Sequence, residues 1–160
     1  MDTIIHPMSI WGIGPFLAIA GGATLLLVCL LQRVFGFAIP VADPYLIGVR
    51  VFGLCWGAVG LWFWIGSVVL IMRSYRSHKL MTGGVYRYSR NPLSAAFIVF
   101  LIPAISLVSG DLLILSVSVV MFTAFKILIR KEEDFLKSAF GTEYELYARR
   151  VAQLIPFVRV

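Results

Sequence analysis

Four apolar stretches, at residues 13–31, 45–72, 92–108 and 112–129, dominate the chain. Each is long enough to cross a bilayer, whose hydrocarbon core takes roughly 20 helical residues. Buried in lipid, a backbone has no water to pair with, so such stretches must satisfy their own N–H and C=O groups as helices. The remaining residues cannot build a soluble shell around them. Only 14% of the 160 residues are charged and 60% are hydrophobic, well beyond a soluble globular domain. The expected architecture is therefore one all-α integral membrane domain over 1–160. It has four transmembrane helices, a short interfacial segment at 1–12, a loop at 73–91 and a helical tail at 130–160.

Charge sets the orientation. Arg73, Arg76, Lys79, Arg87 and Arg90 crowd the loop at 73–91 without an acid, and further basic residues fill 126–160. Basic loops stay on the cytoplasmic side, so the loop and the C-terminus are expected there, and four spans return the N-terminus to the same side. A net charge of +6 beside membrane spans suits an anionic leaflet or a negatively charged substrate better than nucleic acid. Cys29 and Cys55 fall inside spans with no CxxC neighbour or nearby histidine, so neither a metal nor a disulfide is expected. His6 and His78 are isolated. The first apolar run lacks a basic lead-in and reads as a retained span rather than a cleaved signal.

Several local signals bear on packing. Gly53 and Gly57 form a small-xxx-small pair suited to close helix contact, and Gly21-Gly22 offers another. Pro103 should kink the third span, and Ser109-Gly110-Asp111 should turn the third and fourth spans into a hairpin. Arg50 sits near the outer end of its span, where it can snorkel.

The chemistry-bearing residues gather at the basic end. Asn91-Pro92 reads as an N-cap followed by a first helical residue, and a helix N-terminus attracts anions. Gly83-Gly84 allows a sharp turn ahead of Tyr86, Arg87, Tyr88 and Arg90. Glu132 and Glu133 stand at the membrane border, placed to bond ribose hydroxyls or an amino group. Thr142-x-x-Glu145 reads as a capping box. The helix it starts carries Tyr144 and Tyr147 on one face, where they could stack on a ring or a cation.

Two of these stretches resemble a known family. GVYRYSRNPLSAAF at 84–97 is similar to the G-x-Y-R-x-x-R-[HN]-P-x-Y motif of isoprenylcysteine carboxyl methyltransferases. RKEEDFLKSAFGTEYELYARRVAQLIP at 130–156 is similar to their C-terminal E-E…F-G-x-x-Y-x-x-Y-x-x-R-V-P motif. Related membrane phospholipid methyltransferases share the arrangement more distantly. The resemblance implies methyl transfer from S-adenosylmethionine, bound on the cytoplasmic side, to a lipid-like or prenylated acceptor entering from the bilayer. It implies that Tyr86, Arg90, Asn91, Pro92, Glu132, Glu133, Tyr144 and Tyr147 hold the cofactor and that Arg150 grips the acceptor's carboxylate. A carboxylate needs no general base; an amine acceptor would need one, and Glu133 is the candidate. Asn91 replaces the commoner histidine, Ser94 a tyrosine and Ala152 a proline. Two other readings stay open at this point: a non-catalytic membrane protein retaining the scaffold, and an NADPH-dependent sterol-reductase-like enzyme.

Overall fold

The computed structural model describes residues 12–74 and 80–156. Expectations for residues 1–11, and for Arg76, His78 and Lys79, lie outside the described residues. Five helices follow in order: α1 Gly14–Phe35, α2 Asp43–Ser74, α3 Pro92–Ser109, α4 Leu115–Phe140 and α5 Thr142–Arg150. A 3-10 turn at Gly84–Arg87 precedes α3 and another at Leu112–Ile114 precedes α4. The protein is an all-α membrane fold, with α1 to α4 long and apolar enough to cross a bilayer.

The glycine pair in α2 does what its spacing predicts. A Cβ on Gly53 would lie 2.9 Å from the Leu107 Cβ, and one on Gly57 3.2 Å from the Ala104 Cβ. The line continues one turn on, where a Cβ on Gly60 would stand 2.7 Å from the Phe100 Cβ. Lipid tails are as apolar as the side chains, so helix contact in a membrane depends on such close approach rather than on hydrophobic expulsion.

Pro103 perturbs α3 by a π-helical turn over Ala96–Leu101. Proline has no N–H to offer the carbonyl four residues earlier, which here is Val99. That carbonyl accepts instead from the Trp56 indole Nε1 at 2.8 Å. Trp56 therefore packs beside Phe100, 5.1 Å between ring centroids, and satisfies the backbone that Pro103 leaves open.

The end of the bundle opposite the basic loop is tied by Asp111. Its carboxylate accepts from Leu113 N at 2.9 Å, Ile39 N at 3.0 Å and Gln32 Nε2 at 2.6 Å. The α3–α4 hairpin forms as expected, with Gly110 left-handed at φ 77°. Arg50 donates from Nε to the Val108 carbonyl at 3.1 Å, a cation at a helix C-terminus where the dipole favours it.

On the other flank α1 packs against α4, with Leu17, Val28, Val117, Met121, Phe125 and Ile129 buried in one cluster. Gly21 seats the Met121 thioether, since a Cβ there would fall 2.6 Å from Sδ. α1 stands off α3, and the gap is an apolar cavity of about 350 Å³ lined by residues of α1, α3 and α4 such as Leu17, Gly22, Ser94, Phe97 and Ile105.

Candidate active site

The basic loop and the tail meet because the hairpin returns both to one end of the bundle. After α5 the chain turns at Val151 into an extended conformation and lies across the start of α3. Arg90 N donates to the Ala152 carbonyl at 2.8 Å, and Asn91 Nδ2 donates to the Gln153 carbonyl at 3.0 Å. Asn91 thus spends its side chain on the tail and not on capping α3, which has no side-chain cap. Its backbone N–H is met by the hydroxyl of Ser89 at 3.1 Å. Pro92 follows at the first helical position and is fully buried.

The capping box at Thr142 does not form either. Gly141, at φ 52°, takes the N-cap position and Thr142 becomes the first helical residue. Only glycine adopts that backbone without strain, so the turn residue displaces the hydroxyl signal. The helix still starts where expected, and Tyr144 and Tyr147 share its inner face, 1% and 9% exposed. Their rings meet edge to face at 6.3 Å.

Arg90 is the centre. Its Nη1 lies 2.6 Å from Glu133 Oε1 and donates to the Tyr144 hydroxyl at 3.2 Å. The ion pair is close but the N–H aims at the tyrosine, so Glu133 Oε1 keeps no directed hydrogen bond and Arg90 Nε has no acceptor. Both side chains are largely buried, 12% and 16% exposed. Tyr147 donates to the Tyr86 carbonyl at 2.8 Å. Burial, with Glu132 as the smaller cause, pushes the Tyr86 phenol up to about 12. Burial likewise raises Tyr144, reinforced by Glu133 against the pull of Arg90, and raises Tyr147. All three phenols are protonated donors at neutral pH.

The two acids part company. Adjacent residues on a helix point about 100° apart. Glu133 turns to Arg90, whereas Glu132 accepts from the Ile13 amide at the start of α1, at 3.3 Å. Arg150, the last residue of α5, is exposed and makes no side-chain hydrogen bond or ion pair among the described residues. Lys126 and Gln153 were not anticipated. Lys126 Nζ donates to Gln153 Oε1 at 2.7 Å and so holds the tail over the site. The available signal was an ionisable side chain inside a span, which is a functional candidate by default. Among the described residues no group of histidine, cysteine and acid could hold a metal.

A buried donor without an acceptor, Arg90 Nε, and the ion-paired Glu133 carboxylate beside it, set among phenols, fit S-adenosylmethionine, which carries a carboxylate, an amino group, ribose hydroxyls and a cationic sulfur. Arg90 Nε suits the carboxylate, Glu133 Oε1 the amino or hydroxyl groups, and the tyrosine rings the cation.

The chain is similar to several known methyltransferases. "Probable protein-S-isoprenylcysteine O-methyltransferase" of Oryza sativa subsp. japonica is 36% identical over 81 residues, covering 51% of this chain and 42% of the relative. "Protein-S-isoprenylcysteine O-methyltransferase B" of Arabidopsis thaliana is 33% identical over 87 residues, 54% of this chain and 44% of the relative. The counterpart from Schizosaccharomyces pombe is 30% identical over 92 residues, 58% of this chain and 39% of the relative. The match thus spans less than half the length of these relatives. A family profile described as "Phospholipid methyltransferase" matches residues 49–143, which takes in the glycine-lined α2–α3 contact, the Arg90 centre and its Glu133 partner. With more than half of its residues inside that profile, the chain belongs to the phospholipid methyltransferase family.

Proposed function

We propose that the protein transfers a methyl group from S-adenosylmethionine to the carboxylate of a lipid-like acceptor, at the cytoplasmic face of a membrane. The observation that carries this reading is the pairing of a polar, half-satisfied cluster at Arg90, Glu133 and Tyr144 with an apolar cavity whose lining begins at Leu93 and Ser94, just past Asn91-Pro92. The cavity follows α3 from Ser94 to Ile105, about 16 Å at 1.5 Å per residue. That length suits an extended hydrocarbon chain whose head group comes up beside the polar cluster. The relatives' names support an acceptor of the prenylated-cysteine class.

Held by these residues, S-adenosylmethionine would supply an electrophilic methyl group on a sulfonium, which a carboxylate oxygen can take with the neutral thioether as leaving group. Charge is neutralised and no proton moves, so the protein's tasks are orientation and exclusion of water. Arg90 and Glu133 position the cofactor's polar groups, Tyr86, Tyr144 and Tyr147 wall it, and the buried Pro92 closes the floor. Arg150, exposed at the end of α5, is the cation for the acceptor carboxylate. Ser94, in place of the family's tyrosine, lines the cavity and leaves room for the acceptor chain.

Replacing Arg150 by alanine should lower methylation of N-acetyl-S-farnesylcysteine about 100-fold, the scale of a misplaced reactant, while calorimetric affinity for S-adenosylmethionine stays as in the wild type. Unchanged turnover in that variant would remove the carboxylate clamp.

A further inference from the structure

We infer that Glu132 is an acceptor-positioning residue that latches α1 closed over the apolar cavity. Its place on α4 decides this. Glu132 stands 7 and 11 residues after Phe125 and Met121, on the face that meets α1. Its Oε2 accepts from the Ile13 amide at 3.3 Å. That amide belongs to the first turn of α1, where backbone donors have no partner within the helix and the dipole favours a negative charge. Gly12 completes the fit: its φ is +48°, and a Cβ there would lie 2.7 Å from the same Oε2.

The latch has mechanical reach because α1 is held from one side only. It packs on α4 and on the turn at Leu112–Ile114 but stands off α3, and Gly14, Leu17, Ala18 and Gly22 form its side of the cavity. At the far end Gln32 is tied to Asp111 at 2.6 Å. A helix pinned at both ends by carboxylates keeps the cavity's width. Released at Glu132, it can swing from the end next to the site, where the acceptor's head group must be held.

The kinetic consequence rests on the methyltransferase reading; the mechanical one does not. Amide hydrogen exchange in reconstituted full-length protein reads the latch directly, since it reports local opening. In Glu132→Ala, residues 14–20 should exchange roughly tenfold faster, the loss of one hydrogen bond to a charged group, with residues 26–31 unchanged. Glu132→Gln keeps a carbonyl acceptor and should restore slow exchange. Gly12→Ala leaves the carboxylate intact but wedges it away from α1, so it should match Glu132→Ala and covers the case in which that variant fails to fold. With N-acetyl-S-farnesylcysteine as acceptor, Gly12→Ala, which leaves every residue of the cofactor motifs in place, should raise the acceptor KM with kcat and cofactor affinity as in the wild type. Exchange at 14–20 unaltered in both variants would overturn the latch. So would equal loss of S-adenosylmethionine affinity in Glu132→Ala and Glu132→Gln with Gly12→Ala normal, because Glu132 would then be a cofactor ligand. Faster exchange with no methyl transfer by the wild type would keep the latch and discard the methyltransferase reading.

Discussion

Arg90→Met is expected to destabilise the folded protein by about 3–5 kcal/mol and to weaken cofactor binding at least about tenfold. The stability cost comes from what it leaves behind. Glu133 is 16% exposed and its nearest cation is Arg90 at 2.6 Å, so removing the guanidinium strands a buried carboxylate. Breaking one side of a buried pair costs about that much. The Tyr144 hydroxyl loses its donor at 3.2 Å at the same stroke. Neutralising the partner should reverse part of the loss: Arg90→Met combined with Glu133→Gln should be more stable than Arg90→Met alone, since no charge is then stranded. Cofactor binding should not return in the double variant. Denaturant titration in mixed micelles, followed by tryptophan fluorescence, measures the first effect. A double variant no more stable than the single one would mean that Arg90 and Glu133 are not energetically coupled.

Gly53→Leu is expected to destabilise the α2–α3 contact by about 1–3 kcal/mol, the cost of forcing a side chain into a filled space. At this position the added carbons meet the Leu107 Cβ at 2.9 Å and the Ala104 carbonyl oxygen at 3.2 Å. The second of these is backbone and cannot rotate away. Gly48→Leu supplies the control within the same helix, because nothing lies within 4 Å of a Cβ built there. That variant should unfold at the wild-type denaturant concentration. Equal effects of the two substitutions would mean that loss of glycine in α2 matters by itself, and not its contact with α3.

The helices were legible in the sequence because a bilayer leaves a long apolar segment no other structure. The glycine line and the hairpin at Gly110 were legible because each rests on a local rule. Caps were less so. Asn91 has the right residue type for a cap, yet its amide reaches a tail carbonyl 62 residues away, a partner no local pattern reveals. Thr142 lost its place to a glycine one residue earlier for the same class of reason, a competition between two good local signals. The kink at Pro103 appears as a π-helical turn because Trp56, 43 residues distant, offers the displaced carbonyl a donor.

The site was legible as a set of residues and not as a geometry. Arg90, Glu133 and Tyr144 come together as the motifs imply. Glu132 was grouped with Glu133 because the two are adjacent, but one residue's rotation about α4 sends it to α1. Arg150 follows Tyr147 by three residues on the same helix, yet its side chain is exposed where theirs are buried. The tail's grip on α3 depends on Lys126 and Gln153, whose pairing brings a span to a terminal segment that sequence spacing cannot relate.

The central claim is that the Arg90 cluster binds the methyl donor, and titration calorimetry tests it most directly. Purified wild-type protein in detergent should bind S-adenosylmethionine saturably at one site per chain. Arg90→Met, measured where it is still folded, should bind at least about tenfold more weakly, as expected for losing a charge-assisted hydrogen bond. No saturable heat in the wild type, or equal affinity in the two proteins, would contradict the account.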